Sequence, residues 1–204
     1  MNADPTRKPE LLKATALAPT DWGTFEWDAG HNADLLTVSN GGRSIEWGPR
    51  KRQYTGKYYP PAWVAAPTRA HLHSGRFLWD FVIDELAGAQ LGIGFMLLWD
   101  IGPDWGFYGY LGSSTSAWSY DPSTGDVVSN TESIQGGLPK STDGHSCVVS
   151  VRLELPRESA GSAWLSMQET ESRPIALPKG SVVLPAACFL QESQKVSLAG
   201  FRTR

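Results

Sequence analysis

Two pairs of carboxylates stand at a spacing that hydrolysis could use. Glu26-Trp27-Asp28 and Glu169-Thr170-Glu171 each put acids at alternate positions, which on a strand share one face. A retaining glycoside hydrolase needs two carboxyl groups about 5 Å apart in this way. Neither pair extends to a third acid. The first lies near the start of the sequence and the second beside a predicted turn, so both read as solvated carboxylates. His71-x-His73 offers two imidazoles on one strand face, but no Cys, Asp or Glu lies within ten residues before them or six after. A closed metal site takes about four ligands, so these histidines are expected to be structural. A nucleophilic triad would need a strained elbow of the Gly-x-Ser-x-Gly type, which is absent, and Ser141-Thr142-Asp143-Gly144-His145 reads as a polar turn. Gly92-x-Gly94 lacks the third glycine of a dinucleotide loop, with Leu97 in its place, and no βαβ pattern surrounds it. The expectation is a chain without catalysis, metal or cofactor.

Recognition chemistry is better represented. Arg50-Lys51-Arg52, Tyr54, Lys57, Tyr58, Tyr59 and Trp63 place four cations and four rings within fourteen residues. Interfaces favour Tyr, Trp and Arg because each gives a large contact area and a polar handle at small rotamer cost. Arg50 and Tyr54 are therefore candidate partner-binding residues. The alternative is that the rings pack this segment down while its charges stay solvated. A second aromatic cluster runs from Asp100 to Tyr110, through Pro103, Trp105, Phe107 and Tyr108. Its glycines and proline force turns, and so many rings in turns cannot all face inward.

These residues must be positioned by strands, because almost no window keeps helical periodicity without a Gly or Pro. Strand patterns cover 35–39, 43–47, 76–84, 91–98, 107–111, 117–120, 147–155, 163–167, 182–190 and 195–201. The first two are joined by Asn40-Gly41-Gly42, a hairpin turn whose glycines supply positive φ. Phe77, Trp79 and Phe81 alternate along one strand, and such a row of rings belongs between packed sheets. Gly92 and Gly94 share a face, which lets a neighbouring backbone or ring come close. The segments 48–73 and 122–144 read as long loops. Many short strands separated by turns predict an all-β antiparallel sandwich or barrel.

Composition narrows the classes further. With 204 residues and roughly 150 per domain, one domain is expected, with residues 1–20 as a flexible arm and 21–204 as the sandwich. Its 18 basic and 21 acidic residues give a net charge of −3, which argues against general nucleic-acid binding. No apolar run is long enough to cross a membrane as a helix, and no secretory leader pattern opens the sequence. Cys147 and Cys188 sit in apolar strand patterns as buried thiols, and the expected location is cytoplasmic. Nine Trp are compatible with a peptide-binding, glycan-binding or core role.

The order of the strand motifs resembles the SPRY (PRY-SPRY) domain family. His73-Ser74-Gly75-Arg76-Phe77-Leu78-Trp79-Asp80-Phe81-Val82 is similar to the family's "SGRhYWEVEV" strand, and Leu91-Gly92-Ile93-Gly94-Phe95 to the "VGV" strand after it. Leu111-Gly112-Ser113 through Ala117-Trp118-Ser119-Tyr120-Asp121 resembles "LGsdxxSWgYD", and 148–155 falls where the family has "GCxLDL". Leu35–Ser39 with Arg43–Ile45 resembles the PRY hairpin, and Leu184–Cys188 the closing "yPavs" strand. Two departures mark a divergent member: Gly144-His145 stands for Gly-Asp, and Gln168-Glu169-Thr170 replaces an Asn-Gly turn. The resemblance implies a bent antiparallel β-sandwich acting as a non-catalytic protein-interaction module or adaptor. It also implies a shallow groove for a protein or short peptide. Its residues here would be Pro49, Phe107, Tyr110, Leu190 and Gln191, with Trp118 carried over from the "SW" motif, a position that suits the core as well as the groove. Gln191 stands where the SOCS-box subfamily has a peptide-contacting Trp.

Overall fold

The structure is a computed structural model, and it describes residues 23–30, 35–48, 63–87, 90–98, 111–141 and 146–203. Two antiparallel sheets pack face to face. The first holds β1 (Leu36–Ser39), β2 (Ser44–Trp47), β14 (Lys195–Thr203), β4 (Gly75–Glu85), β9 (Cys147–Leu155), β10 (Gly161–Met167) and β11 (Thr170–Glu171) in that order, with β12 (Ile175–Leu177) also paired to β10. The second runs β3 (Val64–Pro67), β13 (Val183–Phe189), β5 (Leu91–Leu97), β6 (Ala117–Asp121), β7 (Asp126–Ser129) and β8 (Glu132–Gln135). Among the described residues the helical content is short 3-10 turns such as Leu111–Ser113.

Register aligns the apolar alternation of the strands into rows. On β4, β9 and β10, Phe77 faces Leu153 and Leu153 faces Ala163; Trp79, Val151 and Leu165 make the next row, and Phe81, Val149 and Met167 the third. All nine side chains are buried on the inner face. A one-residue slip would send every one of them to solvent, which is what pins the pairing. The rings interlock: Trp79 lies edge-on to Phe81, and Trp27 stacks on Phe81. The second sheet supplies Ile93, Phe95, Trp118, Tyr120 and Phe189 from the other side.

Tyr120 ties the layers together. Its hydroxyl donates to the Pro139 carbonyl and lies 3.1 Å from the Met167 sulfur on the opposite sheet. Burial pushes its phenol well above the ordinary tyrosine range.

The predicted long loops are partly structured. Segment 48–73 contains β3, and 122–144 contains the β7–β8 hairpin. That hairpin turns at Asn130 (φ 51°) and Thr131 (φ 63°), a left-handed pair without glycine. The neighbouring chain holds it there: Asn130 N–H donates to the Ser114 carbonyl at 3.1 Å, and Thr131 N–H to the Gly112 carbonyl at 2.8 Å. The predicted Asn40-Gly41-Gly42 turn forms with positive φ throughout. At the departure noted above, Gln168 (φ 49°) and Glu169 (φ 66°) form the same two-residue geometry that Asn-Gly would. The residue types differ while the turn is kept.

Candidate functional site

Leu190 and Gln191, two of the candidate site residues, lie at the end of the sandwich where the chain crosses from the second sheet to the first. Phe189, the last residue of β13, pairs with Val64 on one side and Leu91 on the other. The chain then turns through residues 190–194 and returns as β14. Gln194 holds this turn from within. It is fully buried, and its side-chain oxygen accepts the N–H of Leu190 at 2.7 Å and of Gln191 at 3.0 Å. Its side-chain amide donates to the carbonyls of Leu86 at 3.1 Å and Gln90 at 2.9 Å. One amide thereby satisfies four backbone groups from two connections, which rigidifies the end of the domain.

The end of β2 is fastened to the same turn. Trp47 N–H donates to the Gln194 carbonyl at 3.0 Å, and Ser193 N–H, at φ 70°, donates to the Trp47 carbonyl at 2.8 Å. Gly48, which follows Trp47, and Trp63, which precedes Val64, are therefore both near this turn. Leu190 is half-buried and Gln191 exposed at the rim. The sequence-predicted residues Pro49, Arg50, Tyr54, Phe107 and Tyr110 lie outside the described residues.

Trp118 is placed elsewhere. It sits between the sheets, 9% exposed, with its ring stacked on Phe95 at 5.3 Å between centroids. The reason is the pairing of β5 with β6, which sets Phe95 opposite Trp118 and turns both inward. Trp118 supports the core rather than the rim of a groove.

The other chemistry-bearing residues scatter. Glu171 is engaged by Arg152 in a fork, Nε to Oε1 at 3.0 Å and a terminal nitrogen to Oε2 at 2.8 Å. Asp28 accepts the Gly30 N–H at 3.0 Å, and Glu26 the Thr24 hydroxyl at 3.4 Å. His71 and His73 are exposed on either side of buried Leu72, so they are surface rather than core histidines. Among the described residues no cluster of three His, Cys, Asp or Glu side chains could hold a metal. Both cysteines are free. Cys188 is fully buried and burial pushes its thiol up to about 12; Cys147 is raised by the same cause. Neither is a poised nucleophile.

Sequence reasoning missed Gln194. A glutamine two residues beyond Glu192 looks like any polar loop residue, and its role depends on two connections that are remote in sequence.

No family model matches this chain, and no curated protein matches it. Solved structures do. The SPRY domain of human HERC1 aligns with a TM-score of 0.55 at 13% identity, over 85% of this chain and 94% of that one. The TRIM65 PSpry domain aligns at 0.54 and 12% identity, over 82% and 84%. A human SPRY domain aligns at 0.54 and 11% identity, over 81% and 94%. At these identities the likeness shows the fold: this chain has the bent antiparallel sandwich of SPRY domains.

Proposed function

We propose that this SPRY-fold sandwich is a non-catalytic protein-interaction module that takes a protein or short peptide at the end built around Gln194. The observation that carries the reading is the rigid turn 190–194. It is held by four hydrogen bonds of the Gln194 side chain, to Leu190, Gln191, Leu86 and Gln90. A preorganised rim lowers the ordering cost that association must meet. Pro49, Arg50, Tyr54, Phe107 and Tyr110 are proposed as contact residues, with Leu190 and Gln191 as the fixed edge. The ion-paired Glu171 and the turn-bonded Glu26 and Asp28 favour binding over hydrolysis. Two free thiols fit a reducing compartment, so the module is proposed to act in the cytoplasm.

The test is affinity capture from lysate by wild type, by Leu190→Ala/Gln191→Ala and by Phe107→Ala/Tyr110→Ala, read by mass spectrometry beside a glycan array. A protein enriched by wild type and lost in both variants supports the reading, with an expected cost of about 1 to 3 kcal/mol per anchor. Sugar binding lost in the same variants, with no protein enriched, replaces it with a lectin.

A further inference from the structure

The opposite end of the sandwich carries a cleft that the interaction site does not use. Its volume is about 590 Å³, and Ser74, Gly75, Arg76, Glu154, Leu155, Pro156 and Arg157 line it. It forms where β4 begins beside the end of β9, with Gly75 paired to Leu155. Leu155 is buried and gives the cleft an apolar floor, while Arg76 and Arg157 are exposed at its sides.

The segment leading into this cleft is locally basic. The approach to β4, from Thr68 to Arg76, holds two Arg and two His without a carboxylate, in a chain of net charge −3. His71 and His73 are both exposed on it, and the Ser74 hydroxyl lies 3.3 Å from the His73 ring nitrogen. The opposing charge in the cleft is Glu154. It stands 3.8 Å from Arg76 and 3.6 Å from Arg152, beyond hydrogen-bond length in both cases. Arg76 therefore keeps its donors, and among the described residues Arg157 has no ion-pair partner. Two guanidinium forks and a hydroxyl around an apolar floor match an oxyanion that accepts in pairs, as phosphoryl groups do.

We infer that this cleft is a second binding site, for a phosphoryl group carried on a peptide, held by Arg76 and Arg157 with Ser74 donating a third bond. It lies at the far end from the Gln194 turn, so it can be occupied together with the interaction site.

The experiment is calorimetric titration of the full chain at low salt with three probes: a short Gly-Ser peptide carrying one phosphoserine, the same peptide unphosphorylated, and inorganic phosphate. The phosphopeptide is expected to bind, and Arg76→Ala/Arg157→Ala to weaken it about tenfold or more. Glu154→Gln should tighten it about threefold by removing the opposing charge, a gain that a misfolded variant would not show. Leu190→Ala should leave it unchanged, which separates this site from the groove at the other end. Equal binding of phosphate and phosphopeptide, both lost in the arginine variant, supports the anion site with free phosphate as its ligand. Absence of binding by either phosphorylated probe at millimolar concentration overturns the inference. So does equal affinity for the unphosphorylated peptide, or affinity unaltered in a folded arginine variant.

Discussion

The outer faces of the two sheets are built on opposite plans. On the first sheet, β9 from Val148 onward and β10 alternate, with Ser150, Arg152, Glu154, Trp164 and Ser166 turned outward and half-buried at most. On the second, β5 and β13 are buried at every position, and their outward residues Gly94, Met96, Leu184, Ala186 and Cys188 form an apolar layer of their own with Leu111 and Ala117. The first face meets water through charges, small polar groups and the Trp164 ring that Arg152 covers. The second is covered, and the Leu111–Ser113 turn is part of the cover: Leu111 N–H points at the Cys188 sulfur, 3.2 Å away. A sheet with one solvated face shows a period of two in its sequence, whereas a strand buried on both faces does not. The small residues on the covered face set how close the next layer comes.

The sharpest way to break this comparison is Gly94→Ala. A methyl at Gly94 would run into the Trp118 carbonyl on β6, which is backbone and cannot swing aside. The expected loss is about 3 kcal/mol or more, read as a lowered urea midpoint, against near-zero cost for a conservative change on the other outer face. A Gly94→Ala protein with wild-type stability would mean that the covered face is loosely packed.

Gln194→Ala tests the crossing between the sheets. It leaves the N–H groups of Leu190 and Gln191 and the carbonyls of Leu86 and Gln90 without their partner, at an expected cost of about 2 to 3 kcal/mol. Amide exchange at Leu190 and Gln191 should rise selectively. Exchange that stays as slow as in wild type would show that the turn is held by something else.

Cys188 reports burial on the covered face through pH. Its folded thiol pKa, raised to about 12 from 9.0, makes the folded protein the stronger proton binder. That stability is fully present below pH 9 and is lost as pH rises from about 9 to about 12. The urea midpoint should fall across this window, and Cys188→Ala should flatten the fall. Iodoacetamide at pH 8 should leave Cys188 unmodified in the folded protein and alkylate it in urea. Rapid alkylation without denaturant would place the thiol at an accessible surface.

The smallest effect belongs to the solvated face. Arg152 caps the Trp164 ring at 3.8 Å and pairs with Glu171, both sites partly exposed. Arg152→Ala should cost no more than about 1 kcal/mol by thermal melting. A loss comparable to that of Gly94→Ala would erase the distinction between the two faces.

The same division explains what was readable beforehand. Strands β4, β9 and β10 were visible because one face of each meets water and the other meets rings. The short strand Val64-Ala65-Ala66-Pro67 carried no such signal: it is an edge strand defined by pairing with β13, and its residues are small and buried on both sides. The β7–β8 hairpin was hidden because Asn130-Thr131 reaches left-handed geometry through contacts with residues 112–114 rather than through glycine. At the candidate site, Leu190 and Gln191 came into view through the order of family motifs. Trp118 came with them, and pairing with β5 turned it inward.

Local pattern alone determined the all-β class, the Asn40-Gly41-Gly42 hairpin, and the inward row of Phe77, Trp79 and Phe81. Each depends on residue type and period within one segment, where backbone sterics and the partition of apolar groups from water act directly. Tertiary structure decided that Trp118 belongs to the core, that Gln194 holds the crossing between the sheets, and that Arg76 and Arg157 line one cleft. Those outcomes depend on which remote backbone groups and charges arrive beside a residue, and sheet pairing between segments far apart in the chain sets that.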